Sequence, residues 1–150
     1  MKHLLFSLIA GCISFSAAAQ NTSYNKALAD SLGADQYGMK MYQLVILKTG
    51  SNNIEDKEKV TELFRGHMAN IGKLVKEGKL IVAGPLGKND KQYRGIFIFS
   101  VKTTEEAEAL LQSDPAISSK MLEAEIYPWY GSAALPKYLE FHSQIEQAKP

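Results

Sequence analysis

Cysteine is almost absent from this chain: Cys12 is the single one in 150 residues. Histidine is scarce as well, with three, and one of them is His3 near the start. A lone thiol cannot close an intramolecular disulfide. If the segment carrying Cys12 is removed, what remains has no cysteine nucleophile and no thiolate for a metal. His67 and His142 then stand far apart, without the H-E-x-x-H spacing of a zinc helix, so neither a metal nor a cofactor is expected. Charge of one sign is lacking too: seventeen Lys and Arg face sixteen Asp and Glu. Without a basic stripe there is little to displace counterions from a phosphate backbone, which argues against nucleic acid as a partner.

The first nineteen residues read as an export signal. Met1-Lys2-His3 is a short positive start, "LLFSLIAGCI" an apolar run too short for a stable membrane anchor, and "SAAA" a small-residue exit with Ala17 and Ala19 in the A-x-A pattern. Cleavage after Ala19 gives a chain beginning at Gln20, exported to the periplasm or the medium and with no transmembrane segment left. The alternative is that "IAGC" marks a lipoprotein signal with Cys12 as the acylated residue.

Residues 20–40 form a polar extension in which Tyr24, Ala27, Leu28 and Leu32 share one helical face, as a short helix packing on the domain would have. The domain covers 41–131. "MYQLVILK" (41–48), "KLIVAG" (79–84), "RGIFIFSV" (94–101) and "LEAEIYPWYG" (122–131) have strand character. Pro128 suits an edge strand. Between the first two, "SNN" (51–53) offers caps for a long helix that Gly78 stops. Gly66 and Gly72 inside it weaken it by about 1 kcal/mol each relative to Ala, so something is expected to approach the backbone there. Thr103 and Glu106 make a capping box for a second helix with Ala107, Leu110 and Leu111 as its stripe. "SDP" (113–115) interrupts it. Residues 132–150 are a tail, with a helix after Pro136 presenting Tyr138, Phe141 and Ile145 on one side.

The order β-α-β-β-α-β predicts an α+β, ferredoxin-like fold, with two helices on one face of a four-stranded antiparallel sheet. "LVIL", "LIVA" and "IFIF" are apolar on both faces, however, and two helices cover only one. The second face is expected to pair with another copy, giving a homodimeric α/β barrel in which either Phe97 or Phe99 faces the partner.

His67 falls in the apolar arc of the long helix, among Val60, Leu63, Phe64, Met68, Ile71, Leu74 and Val75. A lone histidine there reads either as a packed core ring with one nitrogen satisfied or as a base in a pocket. Asp114 before Pro115 reads either as a helix cap or as a carboxylate of a site. "RGHMANIGKLVKEGKLIVAGPLG", "RGIFIFSV", "EEAEALLQSDPA" and "AEIYPWYG" together resemble the YCII-related (YciI-like) family across about 41–131. That resemblance implies the dimeric α/β barrel and a paired His and Asp in a cleft, proposed in the family as catalytic, which fall here on His67 and Asp114. Related barrel enzymes include a dehydrochlorinase and muconolactone-isomerase-like proteins acting on hydroxylated or chlorinated rings. This chain departs from the pattern in its leader and extension, and in Ala116 and Ile117, where an aromatic often follows Asp-Pro.

The resulting expectation is a cofactor-independent enzyme performing lyase- or isomerase-type proton transfer or elimination on a small organic or aromatic acid. In it His67 is the base and Asp114 fixes its tautomer. Arg94 holds an anionic group, and Gly84 and Pro85 shape the rim. The rival expectation is a barrel that binds a small ligand or only assembles, without turnover.

Overall fold

Strand alternation divides the side chains between two unequal faces. The computed structural model describes residues 23–148, so the expected signal segment and Cys12 lie outside the described residues. Strands β1 (Met39–Thr49), β2 (Leu80–Pro85), β3 (Tyr93–Phe99) and β4 (Leu122–Ser132) form one sheet in the order β2-β3-β1-β4. Every pairing is antiparallel. With helices α2 (Lys57–Lys76) and α3 (Thr104–Gln112) between strands, this is the expected ferredoxin-like α+β topology. Pro128 sits on β4, which pairs only with β1 and is an edge strand, where a missing N–H is tolerated.

On the helix side Val45, Leu47, Phe97 and Phe99 meet Leu74 of α2 and Ala107 and Leu111 of α3 in the main core. Phe97 and Phe99 therefore both face the helices. Residues two apart on a strand share a face, so neither aromatic is available to a partner, and Ile96 and Ile98 point the other way. The second face carries its own cluster, with Tyr42, Ile81 and Ile98 packed against Leu44, Val82 and Trp129.

Part of that second face is covered by the chain itself. The tail forms a 3-10 turn, Leu135–Tyr138, and then α5 (Leu139–Ile145). Leu135 and Leu139 pack on the second cluster, and the Tyr138 hydroxyl donates to the Ile81 carbonyl. The expected tail helix forms, and Phe141 and Ile145 of its stripe remain exposed.

Helix α2 starts later than "SNN" suggested. Asp56 is the cap, accepting from the amides of Glu58 and Lys59. Asn52 and Ser51 are engaged elsewhere, binding Ser119, Lys120 and Glu123 across the loop before β4. Gly78, at φ +68°, ends the helix in the left-handed region as expected. The Thr103–Glu106 capping box is present at α3. In the extension, α1 (Lys26–Leu32) forms but buries none of its residues. What ties the extension to the sheet is the loop after α1: the Tyr130 hydroxyl donates to Asp35, and Ala133 N–H to the Gly38 carbonyl.

Candidate functional site

The pair at the centre of the molecule is set by two short local decisions. On α2 the buried positions are Leu63, His67 and Leu74, so the imidazole is drawn in with the apolar stripe. On the other side Asp114 caps the four-residue helix α4 (Pro115–Ser118), its Oδ1 accepting the Ala116 N–H at 2.9 Å. Gly66 is what lets the two meet. A Cβ at that position would lie 2.8 Å from Pro115 Cγ, so the bare backbone of α2 is the surface on which α4 rests. The close approach expected at Gly66 is thus α4 itself, whereas nothing lies within 4 Å of a Cβ at Gly72.

With α4 seated there, Asp114 Oδ2 and His67 Nδ1 are 2.7 Å apart. The side chains are 1% and 9% exposed, so the bond is shielded from water and salt. An ionised Asp114 places the proton on Nδ1, which leaves the lone pair of a neutral imidazole on Nε2. The ring is held flat against Phe97, at 5.8 Å between centroids and 25° between planes, and edge-on to Phe64 at 6.2 Å and 88°. No side-chain nitrogen or oxygen among the described residues is both fully buried and unpartnered. Nε2 makes no hydrogen bond among the described residues, so it keeps access to the outside, beside the half-exposed Phe64. The arrangement has an oriented base with two aromatic rings against it. Among the described residues no cluster of three His, Cys, Asp or Glu could hold a metal.

The remaining expected site residues are not gathered at this pair. Arg94 is exposed on β3 at a bulge where the pairing with β1 passes from Gly95 to Tyr93, and it lines the cleft at the β2–β3 turn rather than the His67–Asp114 pair. Gly84 and Pro85 lie at the end of β2, paired with Ile96 and Gly95. Two surface clefts occur elsewhere. One of about 640 Å³ runs between α3 and the β4 edge, with Leu111, Ile117 and Leu122 among its walls and Glu105, Glu108 and Lys120 at its rim. The other, of about 370 Å³, lies at the β2–β3 turn and includes Arg94. Neither is lined by His67 or Asp114. The residues that reading the sequence missed are the aromatic walls. Phe64 was legible one helical turn before His67, while Phe97 needed the register of β3.

A ferredoxin-like α+β domain with a buried His–Asp pair between its first long helix and the turn after its second defines the class. The chain belongs to the YCII-related domain family, whose profile matches residues 41–130. No curated protein is similar enough to count as a match. Among solved structures, the 5-chloro-2-hydroxyhydroquinone dehydrochlorinase of Burkholderia phenoliruptrix AC1100, in complex with 2,5-dihydroxybenzoquinone, is similar at a TM-score of 0.42 and 20% identity. The similarity covers 59% of this chain and 92% of that one.

Proposed function

We propose that this YCII-related protein is a cofactor-independent enzyme in which His67 transfers a proton to or from a small organic or aromatic acid, in an isomerisation or elimination. The observation that carries the reading is the 2.7 Å bond from Asp114 to Nδ1, with Nε2 left unbonded. A carboxylate behind the ring fixes the tautomer and stabilises the imidazolium that forms when Nε2 takes a proton. The half-exposed Phe64 offers an apolar face to a flat substrate, while the buried Phe97 backs the imidazole. The same reading has the protein exported through residues 1–19 and working as a homodimer. Supporting the dimer, Leu44, Ile46 and Ile96 are only partly covered on the second sheet face beside the tail.

A second reading is favoured by one specific observation. Asp114 already serves as the cap of α4 through Oδ1, so its bond to His67 also functions as a structural tie between α2 and α4. Native mass spectrometry of the purified protein, with a panel of hydroxylated ring acids offered, separates the two. Retention of a ring acid by the wild type and its loss in His67→Leu, with the fold intact, supports the enzyme. No retention of any acid supports the tie.

A further inference from the structure

We propose that the cleft at the β2–β3 turn is a binding site for a small carboxylate with an apolar body, separate from the His67–Asp114 pair and independent of what that pair does. The cleft measures about 370 Å³, within the size range of small-molecule pockets. Its lining divides into two chemistries. Leu86, 41% exposed, and the Tyr93 ring offer apolar surface, while Lys88 and Arg94 bring two cationic heads. Among the described residues neither cation has a carboxylate within ion-pairing distance. Asp90, at the tip of the same turn, does not line the cleft.

The turn that presents these groups is held firmly. The Asn89 side chain donates to the carbonyls of Gly87 and Tyr93 and accepts from the amides of Lys91 and Tyr93. Leu86 N–H donates to the Arg94 carbonyl and Thr49 N–H to that of Gln92, closing the turn onto β1. Gln92 sits at φ +58°, a conformation that a non-glycine side chain adopts only when its surroundings impose it. Asn89 is therefore committed to scaffolding, and the polar side chains of the lining left over for a ligand are those of Arg94, Lys88, Thr49 and Gln92, with the Tyr93 hydroxyl. A guanidinium grips a carboxylate through two parallel hydrogen bonds, and the ammonium adds a second charge. Leu86 and Tyr93 would then cover the apolar body. A phosphate would find the cations but leave the apolar walls unused, and a neutral molecule would leave both cations unpaired.

The test is titration of the full mature chain with benzoate, using benzyl alcohol as the neutral comparison, read by amide and side-chain NMR. The expected result is saturable binding of benzoate in the millimolar range or tighter, with shifts at Thr49 and residues 86–94 that persist in His67→Gln; any shifts at Phe64 and Phe97 report acid at the His67–Asp114 pair and are scored separately. Benzyl alcohol should leave the same signals unmoved. Arg94→Gln should weaken binding about tenfold, the scale of one hydrogen bond to a charged group. Lys88→Gln should weaken it less, and His67→Gln should leave it unchanged. Both cations are exposed, so their variants retain the fold, and an unaltered amide spectrum checks this. Equal affinity in the Arg94→Gln, Lys88→Gln double variant overturns the proposal. So does the absence of saturable shifts at Thr49 and residues 86–94 in the wild type.

Discussion

Two glycines in one helix should respond in opposite directions to the same substitution. Gly66 and Gly72 both lie inside α2, where replacing Gly by Ala normally stabilises by about 0.5–1 kcal/mol through backbone entropy. At Gly72 nothing lies within 4 Å of the new methyl, so Gly72→Ala should deliver that full gain. At Gly66 the methyl would sit 2.8 Å from Pro115 Cγ, closer than van der Waals contact allows. The obstacle is a proline ring at the first turn of α4, which cannot swing aside as a long side chain would. Overpacking of this kind costs about 1–3 kcal/mol. Set against the helix gain, Gly66→Ala should lie between neutral and about 2 kcal/mol destabilising. The two variants should differ by about 1–3 kcal/mol in urea denaturation. Gly66→Ala should also push α4 away and disturb the His67–Asp114 bond, moving the His67 Nδ1 proton resonance, while Gly72→Ala leaves it in place. Equal stabilisation by both, with that resonance unmoved, would refute the claim that Gly66 is the seat of α4.

The Tyr130 phenol, pushed up to about 12 chiefly by its hydrogen bond to Asp35, should titrate closer to its ordinary 10.0 in Asp35→Asn, as read by ultraviolet absorption. Asp35 is held below its ordinary 3.8 by the same bond, so its contribution is present above 3.8 and fades as pH falls through the lowered value. The Tyr130 contribution is present below 10.0 and fades as pH rises through about 12, so hydrogen exchange of the 33–39 loop should quicken at both extremes. Ile96→Lys, on the partly covered second face, should turn a sedimenting dimer into a monomer, and a wild type that is itself a soluble monomer would contradict the homodimer. If residues 1–19 are an export signal as proposed, intact-mass analysis of the protein purified from its producing cells should find Gln20 at the start, and a lipid on Cys12 would overturn that cleavage.

The fold was legible in the sequence because its signals were local and agreed with one another. Four strand segments, the capping box at Thr103 and Glu106 and the stop at Gly78 reappear in the structure, and with them the order β-α-β-β-α-β. The start of α2 was misread because Ser51 and Asn52 are good caps that a distant loop claims first, leaving Asp56 to do the work. The sides of Phe97 and Phe99 were legible from alternation alone, and the expectation that they differ ignored it. The tail helix was legible but its seat was not, because Leu135 and Leu139 find the second sheet face only through the tertiary fold, while Tyr138, Phe141 and Ile145 make the more conspicuous stripe. His67 and Asp114 could be nominated from type and context. That they meet depends on Gly66 and Pro115, a contact between residues far apart in the chain. Arg94 illustrates the converse: its charge was plain in the sequence, but its face depends on the register of β3.

The most direct test of the proton-transfer claim is solvent-deuterium exchange into a ring acid retained by the protein, followed by NMR in wild type and Asp114→Asn. Asn keeps the cap on Ala116 N–H and nearly the same volume, but loses the charge that fixes and stabilises the imidazolium. The account predicts exchange in the wild type and a fall of about 10²–10⁴-fold in the variant, the range of a general base, with the unfolding midpoint little changed. Equal exchange in both, or none in the wild type with a bound acid, would contradict it.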